Sequence, residues 1–227
     1  MAKKIFIGVG HGGADPGACN FARRESDDNL RLALLVKSKL LAQGQTVRLS
    51  RESDIAMTPV QRRQMAINWG ADILLDIHRN SVADSSAKGI EIWVRYNKYS
   101  AGAATLLEHL AALPHQANRG VKIGSYAVLA DTAFPAMLLE LGFISNSKDN
   151  ALFDCYLNDN SAAIATGILD ILGEQHTPPR DAGDPPLYRV QVGAFGIKKN
   201  AEAFLQTVQD MGLQAFLIGP QQANSNE

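Results

Sequence analysis

The chain has 227 residues, 46% of them hydrophobic and 20% charged, with a formal net charge of -1. That composition is that of an ordinary globular protein, and the length suits one domain of about 150–200 residues plus a small addition. The charge balance and the lack of a long basic run exclude nucleic acid as the obvious partner, and no apolar run approaches the roughly 18 residues of a membrane span.

The N-terminal "MAKKIFIGVGHGG" lacks the long apolar core and small-residue cleavage site of a secretory signal. "IFIGV" reads instead as a first buried strand. The expectation is synthesis without a signal peptide and residence in the cytoplasm until some other process releases the chain. Cys19 and Cys155 do not make a disulfide framework and read as free thiols.

Lys4 to Val9 is the first strand, and the Gly-rich loop "GHGGADPGA" follows it. Asp27 to Gln43 carries apolar residues at helical spacing, with Gly44 as its stop. "QTVRLSR" alternates as a short strand. Thr58 caps and Pro59 opens a helix to about Trp69. "ADILLDIH" is a continuous apolar strand of the kind covered on both faces. "KGIEIWVR" is the next strand, Ala101 to Leu113 a helix, "YAVLAD" a short extended piece, "AMLLELGF" a buried strand, and Ser161 to Gly173 a helix. This alternation predicts an α/β fold, with a mostly parallel twisted sheet flanked by helices on both faces. In such sheets, sites form at the carboxyl ends of strands.

"GEQHTPPRDAGDPP" breaks the rhythm, and 175–186 reads as a Pro/Gly-rich linker between a domain over 1–174 and a small β-α-β unit over 187–219. That unit pairs "YRVQVGAF", a helix from Lys198 to Met211, and "QAFLI". It is too small to fold alone, so it docks on the first domain, pairs with another copy or forms half of a repeat. Residues 220–227 form a polar tail.

Four ligand-type residues stand at or near strand ends. His11 follows the first strand, His78 follows "DILLDI", Glu140 lies inside "AMLLELGF", and Glu25 lies just before the first helix. Two imidazoles and a carboxylate suit Zn²⁺ with one position left for water, and a further carboxylate beside that water suits proton transfer. Each residue also has a plainer reading. His11 is a turn residue, His78 a strand-end imidazole satisfied by backbone, Glu25 a solvated charge, and Glu140 half of a buried ion pair. No tightly spaced HExxH or CxxC decides between them. Arg79, Asn80 and Glu91 lie near the same strand ends as candidate substrate contacts, or as surface charges and a turn cap.

In order along the chain stand "IGVGHGGADPGA", "ESDDNLRLALLVKSKLLAQGQTVRLSR", "GADILLDIHRNS", "KGIEIWV", "RGVK" and "VLADTAFPAMLLELGFISNSKDN". Together they resemble the zinc-dependent N-acetylmuramoyl-L-alanine amidases of the type-3 family, over roughly Lys3 to Gly173. The resemblance implies Zn²⁺ held by His11, Glu25 and His78, with Glu140 as the catalytic glutamate. It implies peptidoglycan as substrate, cut between the muramic-acid lactyl group and L-alanine. Sporulation mother-cell lysis and phage-type lysis are the contexts it suggests. Two departures stand out: Gly8 occupies a place where the family usually has aspartate, and Ala66-Ile67 replaces the usual "AN" after the helix arginine, here Arg62. "YRVQVGAFGIKKNAEAFLQTVQDMGLQAFLI" resembles half of a SPOR repeat, a peptidoglycan-binding module, which raises self-association through that segment. The competing readings are a carboxypeptidase-like zinc peptidase and an inactive wall-binding protein. His11 and Glu25 stand fourteen apart, which disfavours the first, and the full set of four residues disfavours the second.

Overall fold

A computed structural model describes residues 2–20, 22–113, 117–175 and 198–210. The chain divides into two units, Met1–Arg180 and Asp181–Glu227. The first unit holds a six-stranded sheet built from β1 (Lys4–Val9), β4 (Thr46–Leu49), β5 (Ile73–Asn80), β6 (Ile90–Val94), β7 (Asn118–Ile123) and β8 (Ala136–Phe143). Its order is β4-β1-β5-β8-β6-β7. β4, β1, β5 and β8 run parallel, whereas β6 lies antiparallel to β8 and β7 follows β6. The expected mostly parallel sheet is therefore present, with two reversed strands at one edge. A two-stranded pair, β2 (Cys19–Asn20) and β3 (Arg23–Arg24), lies outside it.

Side chains alternate across each strand, so the two faces of the sheet bury different sets. Ile5, Ile7, Val9, Ile73, Leu75, Ile77, Met137 and Leu139 pack with buried residues of three helices, α1 (Glu25–Ala42), α3 (Ser100–Ala111) and α5 (Leu157–Ile171). The opposite face is smaller. Phe6, Leu74, Ala136 and Leu138 pack there with Ala66 of α2 (Pro59–Trp69) and with Val128 and Leu129. On that second face the strand rows turn polar or lose their side chains toward their carboxyl ends. Phe6 is followed by Gly8 and Gly10, Leu74 by Asp76 and His78, and Leu138 by Glu140. This change creates the site.

α2 has the ends foreseen. Thr58 and Gln61 form a reciprocal capping box, Pro59 opens the first turn, and Gly70 closes the helix at φ 69°. Three segments depart from expectation. Asn118–Ile123 is a strand, Ala127–Leu129 is one turn of 3-10 helix where an extended piece was expected, and α4 (Ser147–Cys155) precedes α5. Asn146 caps α4 through its side-chain oxygen, which accepts from the backbone of Lys148 and Asp149. Cys19 and Cys155 are free and exposed. No helix among the described residues is long and apolar enough to cross a membrane.

In the second unit, α6 (Lys198–Asp210) matches the expected helix. The two strands expected around it, and the 220–227 tail, lie outside the described residues.

Candidate metal centre

β5 delivers His78 at its carboxyl end, and β1 leads directly into His11. His11 takes φ 60°, a left-handed backbone that a non-glycine residue rarely adopts, and the turn swings its imidazole back over the sheet end. Glu25 opens α1. Its backbone N–H donates to the Ala18 carbonyl at 2.9 Å, which fixes the first turn of that helix against the loop after β1. One ligand-type atom from each of His11, Glu25 and His78 lies within 4.8 Å of the others.

The pairings within the trio are specific. Glu25 Oε2 lies 3.2 Å from His11 Nε2, and Glu25 Oε1 lies 2.8 Å from His78 Nδ1. The two rings meet edge to face, with centroids 5.0 Å apart. The second nitrogen of each ring is held from behind by an aspartate. Asp15 Oδ2 is 2.8 Å from His11 Nδ1, and Asp76 Oδ2 is 3.1 Å from His78 Nε2. A carboxylate behind an imidazole fixes its tautomer and aims the other nitrogen forward, the usual support of a metal-ligating histidine. Glu25 Oε1 also accepts from the Arg79 backbone N–H and from Asn29 Nδ2, and Oε2 accepts from the Ala18 N–H. The three residues can hold a metal ion.

Glu140 stands directly beside this trio. β8 pairs with β5 so that Glu140 lies opposite His78, and with β6 so that it lies opposite Glu91. Its Oε2 is buried and has no hydrogen-bond partner. Burial raises the Glu140 carboxyl; His78 opposes this, Glu25, Glu91 and Asp76 reinforce it, and the result is about 8. Burial would lower His78, but Asp76 and Glu25 outweigh it and push the imidazole up to about 10. Burial would raise Glu25, yet His11 and His78 hold it well below the usual carboxylate range. Glu25 is thus a committed anion between two rings, whereas Glu140 is a carboxyl that readily takes a proton. His11, Asp76, His78, Tyr126, Leu138 and Glu140 line one cleft.

The three candidate substrate contacts fall elsewhere. Arg79 is buried and faces away from the cleft. Its guanidinium donates to Asp28 Oδ2 at 2.6 Å and to Asn150 Oδ1 at 2.8 Å, and it lies 4.4 Å over the Phe153 ring. Glu91 is buried and accepts from Asn80, Trp93, Arg119 and Lys122. Asn80 is thereby committed to Glu91, and its Oδ1 accepts from the Ser81 N–H. These residues hold the neighbouring strand ends in place, and the lining of the cleft does not include them.

Sequence reasoning missed Asp15, Asp76 and Tyr126. Asp76 left a readable trace, because it is a carboxylate inside an apolar strand, two residues before His78 and therefore on the same face. Asp15 stands four residues after His11 in a loop, and only the turn joining Gly12 and Asp15 brings it under the ring.

Comparison with known proteins decides the family. The model of the N-acetylmuramoyl-L-alanine amidase family matches residues 5–172. The chain belongs to that family. A SPOR domain model matches residues 160–219, so the two matches share the end of the first domain. An N-acetylmuramoyl-L-alanine amidase of Bacillus licheniformis, CwlM, is 34% identical over 95% of this chain and 84% of its own length. A sporulation-specific N-acetylmuramoyl-L-alanine amidase of Bacillus subtilis is 33% identical over the same shares. The catalytic domain of CwlV, an amidase from Bacillus (Paenibacillus) polymyxa var. colistinus, superposes with a TM-score of 0.73. It is 32% identical, covering 76% of this chain and 99% of that one. The cell-wall amidase expected from the sequence is thus supported, and the same family accounts for the α/β sheet.

Proposed function

We propose that this amidase binds one Zn²⁺ through His11, Glu25 and His78, and that Glu140 moves the proton in hydrolysis of the lactyl–L-alanine amide. The observation that carries the reading is the buried, unpartnered Glu140 Oε2 beside three converging N, O and N donors. That donor set matches the zinc preference for imidazole and carboxylate with an open position. Zinc bound there supplies Lewis acidity to the carbonyl and to water.

The protein's own groups do the rest. Asp15 and Asp76 keep Nε2 of His11 and Nδ1 of His78 facing the centre. Glu140 accepts a proton from the attacking water and hands it to the departing L-alanine nitrogen. A buried carboxyl with a raised pKa suits both halves of that transfer, since it accepts a proton without holding an unpaired charge against an apolar strand. Glu91, pinned by Arg119 and Lys122, keeps the strand beside Glu140 rigid.

The SPOR match points to a peptidoglycan-binding role for the second unit. The unit boundary at 180/181 falls inside the segment 175–186, which we read as the linker. The sporulation-specific relative favours mother-cell lysis as the setting, with enzyme released from the cytoplasm as the cell breaks. Self-association through 187–219 is a further part of this reading, tested by sedimentation of the full chain.

The bond is tested by mass spectrometry of digested peptidoglycan. The amidase reading requires released stem peptides that begin with L-alanine and glycan strands with free lactyl groups. New termini within the stem peptide would place the chain among zinc peptidases instead.

A further inference from the structure

β1 and the residue just past its end lack side chains at two successive positions on the cleft-side face, Gly8 and Gly10. β5 lies beside it in parallel register, with Gly8 opposite Asp76. A Cβ at Gly8 would collide with Asp76 Oδ1 and lie 2.9 Å from Asp76 Cγ. A Cβ at Gly10 would lie 2.6 Å from His78 Nε2. The two glycines therefore form a trough on β1, and the two polar side chains of β5 lean into it. Without the trough neither Asp76 nor His78 keeps its place.

Asp76 is fully buried, and its charge is matched at once. Arg62 of α2 donates to Oδ1 at 2.9 Å and to Oδ2 at 3.0 Å. Arg62 Nη2 also lies 3.3 Å from His78 Nε2. A guanidinium has no acceptor, and Asp76 Oδ2 sits 3.1 Å from that same ring nitrogen. Asp76 Oδ2 thus accepts from both, so His78 Nε2 carries a proton held by Asp76, and Nδ1, whose proton Glu25 Oε1 accepts in the metal-free protein, is the nitrogen left to face a metal. Arg62 itself is fixed by donating to the Met57 carbonyl at 2.8 Å, so the whole stack hangs from the start of α2.

We infer that Asp76, seated in the space left by Gly8 and clamped by Arg62, is a positioning residue that sets the tautomer and aim of His78 as a metal ligand. What matters is a carboxylate at that point in space, and either strand can supply it. An aspartate at position 8 would project into the volume that Asp76 fills, provided Asp76 is cut back. The residues at 8 and 76 are therefore a matched pair: one aspartate and one small residue, in either order, but not two of either kind.

The inference rests on the zinc reading above, and a four-protein comparison separates the two. The proteins are the full-length wild type, Asp76→Ser, Gly8→Asp and the double variant Gly8→Asp/Asp76→Ser. Zinc affinity is measured by competition with a chromophoric chelator, and the ligand field by the absorption spectrum of the cobalt-substituted protein. Asp76→Ser is expected to lose about 10–100-fold in zinc affinity, the usual effect of removing the carboxylate behind a ligating histidine. Gly8→Asp alone places two carboxylates in one buried space and is expected to lose affinity as well. The double variant is expected to recover both the affinity and the wild-type cobalt spectrum. Asp76→Asn, which keeps the shape but not the charge, serves if the serine variant does not fold, and is expected to show the same loss. Wild-type affinity and spectrum in Asp76→Ser or Asp76→Asn would overturn the inference, and so would a double variant no better than Asp76→Ser. Failure of the zinc reading looks different, because the wild type itself would then bind no zinc.

Discussion

Glu140 and His78 lie opposite each other on adjacent parallel strands, yet only His78 is hydrogen-bonded, while Glu140 Oε2 is buried with no hydrogen-bond partner. A buried acceptor left unmade costs about 1–3 kcal/mol. A fold that tolerates this beside three metal-type ligands keeps Glu140 for chemistry. Glu140→Gln should therefore bind zinc with wild-type stoichiometry while its turnover falls by about a hundred- to ten-thousandfold. Metal analysis and release of L-alanine termini, taken on the same preparation, check this.

The raised Glu140 carboxyl has a consequence for the metal-free protein. Its pKa rises from 4.5 in the unfolded chain to about 8 in the fold. Between those values the folded state holds a proton that the unfolded state has lost, so this group's contribution to stability falls as pH rises from 4.5 to 8. Above 8 the penalty is fully present. Glu140→Gln removes it. The metal-free variant should melt at a higher temperature than the metal-free wild type at pH 8, with a gap that narrows toward pH 5. Melting curves on chelator-treated protein across that range measure it.

Metal should stabilise the fold through the trio alone. Zinc at a thousandfold excess over its dissociation constant adds about 4 kcal/mol to a protein that binds it only when folded. The wild type should gain melting temperature on zinc addition, and His78→Ala should gain almost none, because Glu25 then keeps only His11 as an imidazole neighbour. Scanning calorimetry with and without zinc reads the difference.

Arg79 tests whether the residue after His78 serves substrate or structure. Its guanidinium lies between Asp28, Asn150 and the Phe153 ring, away from the cleft. Removing one partner of a buried charged pair costs about 3–5 kcal/mol. Arg23 also donates to Asp28, so the loss should sit at the low end, about 3 kcal/mol. Arg79→Ala should unfold at lower denaturant concentration, while the KM of the folded fraction stays close to wild type. A large rise in KM with unchanged stability would show that Arg79 touches substrate.

Much of this was legible because the determinants are local. Thr58, Pro59 and Gly70 fix α2 through capping and backbone preference, without reference to the rest of the chain. The trio and Glu140 stood out because two imidazoles lay at strand ends, one carboxylate at the start of a helix and another inside an apolar strand. The reversed edge was not. Asn118–Ile123 is partly exposed, with two hydrophobic residues among polar ones, and neither apolar alternation nor a buried run marks it as a strand. The direction of β6 depends on the connection from β5 through Ser81 to Gly89, whose path no periodicity encodes. Arg79 stands away from the cleft for a physical reason. It follows His78 in a strand, so it points to the opposite face, where a long side chain reaches Asp28 of α1 and Asn150 of α4.

The most direct test of the account strips the full-length protein with a chelator and returns zinc in steps, counting new L-alanine amino termini on purified peptidoglycan against zinc bound. Stripped protein should release no termini, and recovery should be linear and stop at one zinc per chain. Undiminished cleavage by stripped protein, or recovery that yields termini elsewhere in the stem peptide, would contradict it.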